Sequence, residues 1–588
     1  MATDSPYGPH RRLKPSLPHG LSREALSSLL AELVKQKEEL TEMISSTTAA
    51  LNALSPVNRL PDELLIDVFL HVQAATRSWP RILVICRRWR TVAHTSARLW
   101  SRLDVGTRTP HARITASLTY SGDLPLDVTF DRNVKVSAIL DELTPHISRV
   151  RALCFVEASR DEVSSVETFL RNRMPSLRTL HVRFDPYDED SEYDSDSDFD
   201  EREEEMAFCF APVSGQFPSL EELVLRAVGL RAASAAFPLL KVLQLSDCND
   251  EEMSLQSFVS MLSGLHGLRS LSMRRYHSTR DDGPPQSLPQ SLPQSLRTLT
   301  LEDEEEWTCT YVERLVLPPN LSRLSVSRDA VPDSPAEGLL STRAISACIP
   351  QFPDHPESVQ VLLDAVQSVR IDLRDAFNRV SVVGTAGTHT ISLAAVARRR
   401  CIMRPNPADE LVELFSCAQV KDIQIFGIDD EHETTEDDWW NVVCWLPSIK
   451  RLAFTVEYGA GDVRDSILWR LGCNLNDADE DYPLVPRDLE ELRINAFVDD
   501  SEELLEKLSH LLWYRQEHGE RLSRLFVAIS PRPGRSKTQE SNAFPHAKYQ
   551  ATLAPFVGVV HCRTYGKWFA DWSYTPPPAP MVDANITQ

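Results

Sequence analysis

The sequence predicts an α/β protein that consists of a long amino-terminal helix, a module of three short helices, and an irregular αβ solenoid with parallel strands. Three patterns favour this fold. Apolar residues recur at heptad spacing over 21–54, helical spacing returns in short runs over 55–105, and an apolar-x-x-apolar-x-apolar pattern recurs through 106–530. Helical spacing places side chains on one helix face, whereas strict alternation places them on one face of a strand.

The length and composition of the chain limit which types of protein it can be. A chain of 588 residues has room for two or more domains, and its apolar content is typical of globular proteins. Because no segment has the apolar length of a membrane span or of a signal peptide, we expect no membrane partner and a cytoplasmic or nuclear location. The 11 cysteines show no metal-binding spacing, and a net charge of −23 argues against nucleic acid as a partner.

The amino-terminal region divides into a tail, 1–20, predicted to be disordered, and a helix, 21–54. Apolar side chains of the helix lie on two adjoining heptad rows, which are Leu26, Leu33, Leu40 and Leu54 on one and Leu30, Ile44 and Leu51 on the other. Two interpretations stay open: a coiled-coil dimer, or an amphipathic helix that folds back onto its own chain. The polar Lys37 and Thr47 on the rows favour the second interpretation.

The next segment, 55–105, contains three runs with helical spacing. The first begins at Pro61, which suits the first turn of a helix, and Asp62 and Glu63 suit the positive end of its dipole. A second run begins at Arg81 and a third covers 91–100. Because a module of this size is marginal by itself, we expect part of its apolar surface to contact a partner.

The order LP-x-ELL-x-x-x-F, then CRRWR, then RLW resembles the F-box, through which SCF-type ubiquitin ligases recruit their substrate receptors. The resemblance implies docking onto a Skp-family adaptor and, through it, onto a cullin and a RING subunit. One departure is the segment 75–80, where many members carry an Asp-Pro turn. The contact residues that the family pattern implies are Leu60, Pro61, Leu64, Leu65, Phe69, Trp89, Leu99 and Trp100.

The repeated pattern begins cleanly at Leu220, Leu240, Leu268, Leu296 and Leu321, so its steps of 20 to 28 residues indicate repeats. The L-x-L part of each copy predicts a short strand, and helical spacing before several copies predicts helices between strands. The pattern resembles irregular leucine-rich repeats. Alternation assigns a speculative target-binding set to the outward strand face, namely His181, Val224, Gln244, Ser272, Thr300 and Arg493.

Several segments interrupt or follow the repeats. Residues 185–205 contain 13 acidic residues against one arginine, so we predict a disordered acidic insertion. Residues 280–295 and 331–356 are interrupted by prolines and are predicted to be long loops, and Gly384 to Gly387 is predicted to be a turn. We place the end of the solenoid at 530, and expect 531–588 to form a linker, a candidate cap and a proline-rich tail.

No catalytic arrangement was found in the sequence. It contains neither a phosphate-binding loop nor a zinc-protease, nucleophile-elbow or dinucleotide-binding motif. We therefore expect a protein that is not an enzyme, with no cofactor and no metal. The predicted function is that of a substrate-recognition subunit of an SCF-type ligase. The alternative is a non-degradative protein-binding scaffold of the leucine-rich-repeat type.

Overall fold

The chain divides into two compact units. A helical unit comprises 1–104 and 110–126, and a sheet unit comprises 105–109 and 127–588. The computed structural model describes residues 22–76, 79–132, 134–184, 208–249, 255–277, 290–304, 312, 315–330, 348, 357–375, 379–397, 407–428, 442–443, 446, 448–456, 464–465, 467–468, 471, 486–497, 501–530 and 546–564.

The described part of the helical unit contains five α-helices and two short 3-10 helices. The 3-10 helices are Pro56–Arg59 and Trp79–Val84. The α-helices are α1 (Arg23–Leu54), α2 (Asp62–Ala75), α3 (Arg87–Thr95), α4 (Ala97–Trp100) and α5 (His111–Tyr120).

Helix α1 begins where the side chain of Ser22 accepts a hydrogen bond from the Ala25 N–H. It continues without interruption for 32 residues, and none of its side chains is buried. The predicted helix is therefore present, but its apolar rows do not fold back onto any residue that the structure describes. Most helices in proteins are stabilised by packing of their apolar face, so this exposure is unusual.

The prediction of two helices over 81–100 is wrong in detail. A 3-10 helix ends at Val84, and α3 begins only after Cys86, whose Sγ accepts from the Trp89 N–H at 3.4 Å. The side chains of Val84 and Ile85 are 74% and 52% exposed. A continuous helix would therefore gain no packing at these two β-branched residues, which also have a low helical propensity.

Within the residues that the structure describes, the strands form one large sheet of 17 strands and two additional two-stranded pairs, β5–β7 and β10–β12. The strands are β1 (Arg102–Val105), β2 (Leu126–Phe130), β3 (Val150–Ala158), β4 (Thr179–Phe184), β5 (Phe208–Phe210), β6 (Glu222–Arg226), β7 (Val228–Leu230), β8 (Val242–Asn249), β9 (Ser270–His277), β10 (Gln290–Ser291), β11 (Thr298–Glu304), β12 (Leu315–Val316), β13 (Arg323–Ala330), β14 (Ser368–Asp375), β15 (Arg379–Ala386), β16 (His389–Ala397), β17 (Asp422–Ile428), β18 (Arg451–Val456), β19 (Glu491–Phe497), β20 (Arg524–Ser530) and β21 (Val559–Thr564).

Helices precede several of these strands, as the sequence predicts. They are α6 (Ser137–Leu143), α7 (Val163–Leu170), α8 (Leu255–Ser263), α9 (Glu357–Asp364), α10 (Pro407–Phe415), α11 (Ser501–Glu517) and α12 (His546–Leu553). Shorter 3-10 turns occupy Thr144–Arg149, Arg160–Glu162 and Ser234–Ala236. In α8 the predicted apolar face is buried through Phe258, Met261 and Leu262.

From β2 onward the neighbours in the large sheet are β2, β3, β4, β6, β8, β9, β11, β13, β16, β15, β14, β17, β18, β19, β20 and β21. Strands β3 to β13 pair in parallel, and so do β17 to β21. The α/β fold with a mostly parallel sheet is thus as the sequence predicts.

The L-x-L part of the pattern determines which face of each strand is buried. Its first leucine is in register from strand to strand, and every member of the row is 3% exposed or less. The row is Leu153, Leu180, Leu223, Leu243, Leu271, Leu299, Leu324 and Ile391. Because side chains alternate along a strand, the residue after each of these lies on the opposite face.

An antiparallel meander interrupts the parallel order. Strands β14, β15 and β16 pair antiparallel to one another, while β16 is parallel to β13 and β14 is parallel to β17. The predicted turn at 384–387 is partly wrong, because Gly384 lies within β15, where a Cβ would be 2.9 Å from Ile391 and Val366. Gly387, with φ +60°, begins the two-residue turn between β15 and β16.

The sheet continues beyond residue 530, where the sequence placed its end. Helix α12 and strand β21 follow, and β21 pairs in parallel with β20 from Arg524 to Ile529. The acidic insertion 185–205, most of the loops 280–295 and 331–356, the linker 531–545 and the tail after 564 lie outside the described residues.

Candidate functional site

The helical unit has an aromatic core that α2, the following 3-10 helix, α3 and α4 share. Its fully buried members are Leu65, Phe69, Trp79, Ile82, Val92, Ala93, Leu99 and Trp100. The Trp79 and Trp100 rings meet edge to face at 5.4 Å, and the Phe69 and Trp89 rings lie 5.0 Å apart. The Gln73 amide closes the core by donating to the Leu99 carbonyl at 3.0 Å.

Arg88 and Trp89 of α3 hold the segment that leads into α2. The Arg88 guanidinium donates to the carbonyls of Asn58 and Leu60 and to the carboxylate of Asp62, the last two at 2.6 Å. The Trp89 indole donates to the Asn58 side chain at 2.6 Å. Since a guanidinium is a rigid, planar donor, these contacts fix the segment before α2. This role of Arg88 and Trp89 was not predicted from the sequence.

An exposed apolar surface lies beside this fixed segment. Leu64 is 52% exposed and Val68 is 40% exposed, and they are four residues apart on one face of α2. Pro61 is also exposed, and Leu60 is half-buried. We call Leu60, Pro61, Leu64 and Val68 the α2 surface. Its apolar side chains are available to a partner, and the core behind them is buried.

The eight residues predicted to contact an adaptor therefore fall into two groups. Leu65, Phe69, Leu99 and Trp100 are at most 3% exposed. Their side chains support the surface from within and offer no area for direct contact in this conformation. Leu60, Pro61 and Leu64 belong to the α2 surface, and Trp89 is half-buried behind it.

Trp79 lies within the segment 75–80, where the sequence departs from the family pattern. The Trp79 side chain is 1% exposed and packs on Trp100, so it contributes apolar volume to the core. The guanidinium of Arg113, from α5, lies 5.7 Å from the Trp79 ring centroid, at cation–π distance. Burial lowers the pKa of Arg113, while the charge of Asp104 opposes that change.

These features coincide with a known module. The family model described as F-box-like matches residues 57–105. Residues 57–105 form an F-box-like domain. The match supports an F-box protein, and F-box domains generally bind Skp-family adaptors. A search of curated proteins found no match to the chain.

None of the helices that the structure describes is long and apolar enough to cross a membrane. No group of three or more His, Cys, Asp or Glu side chains among the described residues has an arrangement that could hold a metal ion.

A second candidate surface, separate from the F-box-like domain, lies on the sheet. Five of the six predicted target-binding residues form one row across adjacent strands: His181 pairs in register with Val224, Val224 with Gln244, Gln244 with Ser272, and Ser272 with Thr300. All are half-buried except Val224, which is 4% exposed and offers little contact area. We call this set the outward row. Its side chains beyond Val224 are short and polar.

One end of the outward row contains three groups that resemble a catalytic arrangement. His181 Nε2 lies 3.0 Å from Glu222 Oε1, and His181 Nδ1 lies 3.8 Å from Cys154 Sγ. The hydrogen bond from His181 lowers the pKa of Glu222. Burial, however, raises the pKa of Cys154 to about 11, so the thiol is protonated at neutral pH. A nucleophilic cysteine requires the thiolate, which this environment disfavours.

The sixth predicted residue, Arg493, belongs to another part of the sheet. It lies on β19, in register with Ala453 and Phe526, and its guanidinium lies 4.5 Å from the Phe526 ring centroid. Arg493 and Arg524 both pair with the buried Glu491, the latter at 2.7 Å. A cavity of about 250 Å³ borders these charges and those of Asp422 and Arg451. The ion pairs within this group leave little net charge for recognition.

Proposed function

We propose that this protein is the substrate-recognition subunit of an SCF-type ubiquitin ligase. In this proposal the F-box-like domain docks on a Skp-family adaptor, and through it on a cullin and a RING subunit. The sheet unit binds a target protein through a leucine-rich-repeat type surface. The chain itself would perform no chemistry, and would act by raising the local concentration of target lysines.

The observation that carries the proposal is the α2 surface. Leu64 and Val68 are large apolar side chains that remain exposed beside a segment fixed by Arg88. A patch that is apolar, exposed and rigid is the usual character of a protein-binding surface, because little ordering is needed on association. The surface lies within the matched residues 57–105, and this location supports a Skp-family adaptor as its partner.

The outward row supports the proposed binding of a target by the sheet unit. Its residues come from five neighbouring strands, so a target would contact a broad, continuous surface. Gln244, Ser272 and Thr300 supply hydrogen-bonding groups, and arginine substitutions there should reduce target capture. Such variants should retain adaptor binding, because they lie outside the F-box-like domain.

The test is a pull-down of purified full-length chain with a Skp-family adaptor. We expect the double substitution Leu64→Glu and Val68→Glu to abolish binding, since two charges would enter an apolar interface. Both residues are exposed, so the fold should survive, and circular dichroism checks this. Ser28→Glu with Ala31→Glu is the matched control, because it adds the same charge at two exposed positions of α1 that lie outside the matched domain.

Either of two results would reject the docking proposal: no binding by a folded wild-type chain, or unchanged binding by the double variant. Ligase function needs a further assay with cullin, RING subunit, conjugating enzyme and ubiquitin. Adaptor binding without cullin recruitment or ubiquitin transfer would instead favour the non-degradative scaffold.

A further inference from the structure

The longest helix in the described part of the chain presents an apolar surface along its whole length. Helix α1 covers 32 residues, or roughly 48 Å at 1.5 Å per residue, and contains no buried side chain. Ten of its large apolar side chains are 39–66% exposed: Leu26, Leu29, Leu30, Leu33, Val34, Leu40, Met43, Ile44, Leu51 and Leu54. A helix this apolar gains its stability from packing, which the described residues of the same chain do not provide.

The heptad positions show which face is involved. With Leu30 as an a position, the a residues are Arg23, Leu30, Lys37, Ile44 and Leu51, and the d residues are Leu26, Leu33, Leu40, Thr47 and Leu54. We call these two rows the seam. A seam of this period, sustained over four heptads, is typical of helices that pair with another helix.

The contacts of α1 within its own unit come from a different face. Ser45 Oγ accepts from Arg87 Nη2 at 2.7 Å, and the Asn52 carbonyl accepts from the Asn58 side chain at 2.6 Å. Ser45 and Asn52 are both b positions, about a third of a turn from the a row. The F-box-like domain therefore contacts the side of α1 and leaves the seam exposed.

The charges along α1 indicate what covers the seam. Its basic residues, Arg23, Lys35 and Lys37, lie in the first half together with Glu24 and Glu32, whereas Glu38, Glu39 and Glu42 follow and the last 12 residues are uncharged. If a second copy ran parallel, Lys37 would face the other Lys37 within the seam, with like charges opposed. If it ran antiparallel, Lys37 would face Leu40 of the other copy, next to Glu38 and Glu39.

The antiparallel arrangement also pairs apolar residues on both sides of the axis. A two-fold axis between Glu38 and Glu39 places Leu33 opposite Ile44 and Leu26 opposite Leu51, whereas Leu30 faces Thr47 and Leu54 faces Arg23. The flanking e and g positions impose no charge repulsion, since all are uncharged: Ser27, Leu29, Val34, Gln36, Thr41, Met43, Thr48 and Ala50. The helix is thus complementary to itself about a two-fold axis, as a symmetric dimer requires.

We propose that α1 forms an antiparallel two-stranded coiled coil with α1 of a second copy of this chain. The chain would then be a dimer through the segment that precedes its F-box-like domain. The a/d seam, with its e and g flanks, forms the interface, and the b face of α1 keeps its contacts with Arg87 and Asn58.

The first experiment measures the mass of the full-length chain by sedimentation equilibrium. We expect twice 66.3 kDa for the wild type. The double substitution Leu33→Glu and Ile44→Glu should give the monomer mass, because it places acids at opposed layers of the seam. The matched control, Ser28→Glu and Ala31→Glu, adds the same charge at f and b positions and should stay dimeric. Since Glu has a high helical propensity, circular dichroism should show α1 intact in both.

The second experiment tests orientation. A photo-crosslinking amino acid in place of Leu26 should join the second copy near Leu51, as identified by mass spectrometry of the joined peptides. Crosslinking to Leu26 of the other copy would overturn the antiparallel arrangement. The substitution Lys37→Leu should lower the dissociation constant of the dimer about tenfold, because it replaces the charged layer with an apolar one.

Different results are expected if the seam binds something other than one second copy of the chain. A wild-type monomer over all accessible concentrations, or a trimer or tetramer, would overturn the proposal. Loss of adaptor binding in the Leu33→Glu and Ile44→Glu variant, with a monomeric wild type, would assign the seam to the adaptor. The proposal is independent of ligase function, because dimerisation is measured with the purified chain alone.

Discussion

The ring of Tyr120 lies 5.0 Å from the ring of Trp100, centroid to centroid, and 4.6 Å from that of His94. Tyr120 is the last residue of α5, which lies beyond the F-box-like match at 57–105. This helix also brings Arg113 to Trp79. The helical unit thus includes residues 110–126, although the sequence predicted that 106–530 belongs to the repeats.

This contact predicts that Tyr120 stabilises the helical unit. The substitution Tyr120→Ala should lower the free energy of unfolding by about 1 kcal/mol, which is typical of an aromatic pair, and Tyr120 is 41% exposed, so a larger loss is not expected. Tyr120→Phe keeps the ring and should be neutral. Chemical denaturation followed by tryptophan fluorescence measures both. Equal losses for the two variants would show that the hydroxyl, not the ring, is responsible.

A second prediction concerns Arg88. Arg88→Ala removes the donors to the carbonyls of Asn58 and Leu60 and to Asp62, so the segment before α2 should become mobile. Adaptor affinity should fall about tenfold, equivalent to about 1.4 kcal/mol. Arg88→Lys should not restore it, because an ammonium group lacks the planar fork of donors.

Arg87→Ala is the matched control for that measurement. Arg87 precedes Arg88 on α3 and contacts Ser45 of α1, so its loss should leave the α2 surface unchanged. Calorimetric titration of the three variants with a Skp-family adaptor gives the affinities. If Arg87→Ala and Arg88→Ala weaken binding equally, a general charge effect would account for both.

The success and failure of the sequence predictions have physical causes. The buried rows of the sheet were predictable because an L-x-L motif can place both leucines inward only as a strand, and parallel neighbours then align leucine with leucine. The β14–β16 meander was missed because its strands carry the same alternation as a repeat. The turn at Gly387 and Thr388 between two alternating runs was the available signal, and it indicates a hairpin.

The location of the candidate site was predictable from the sequence, but the exposure of its individual side chains was not. Leu64 and Leu65 are adjacent in the sequence, and yet one is 52% exposed and the other fully buried. The family pattern includes both leucines, but it does not show which one is exposed to a partner and which one packs in the core. The role of Arg88 was missed because its acceptors are mostly backbone carbonyls, about 30 residues distant in the chain. Every residue has a backbone carbonyl, so the amino-acid sequence does not show which carbonyls accept from Arg88.

A third prediction is that Cys154, beside His181 and Glu222, does not react as a catalytic cysteine would. Because burial raises the pKa of Cys154 to about 11, iodoacetamide at neutral pH should modify the exposed Cys417 well before Cys154. Mass spectrometry after limited alkylation measures the order, and both residues should react in denaturant. His181→Ala should not raise the reactivity of Cys154, because burial is the main cause of its pKa. Rapid, His181-dependent alkylation of Cys154 would instead indicate an activated nucleophile.

The raised pKa also has a consequence for stability. A thiol whose pKa is higher in the folded state favours folding below its unfolded pKa, and this contribution is lost as the pH rises toward about 11. Cys154→Ser should therefore flatten the alkaline part of the stability profile of the sheet unit. An unchanged profile would mean that Cys154 titrates alike in both states.

The last prediction concerns alternating charges at the carboxyl ends of the strands. Asp247 of β8, only 2% exposed, pairs with Arg226 of β6 at 2.8 Å and with Arg275 of β9. Asp247 and Arg275 both have positive φ, at 55° and 46°, a conformation that non-glycine residues adopt infrequently. The ion pairs therefore hold two strained strand ends together.

Removing the central carboxylate should destabilise the sheet unit strongly. Asp247→Ala leaves two arginines without their common partner, and a loss of about 3 kcal/mol is expected for breaking a buried pair. Asp247→Gly removes the same charge but relaxes the backbone at positive φ, so it should lose less. Arg274→Ala, which removes the exposed ion pair with Glu302, is the control and should cost less than 1 kcal/mol. If Asp247→Ala were as mild as Arg274→Ala, these charges would be solvated and the strand ends held by the buried leucine rows alone.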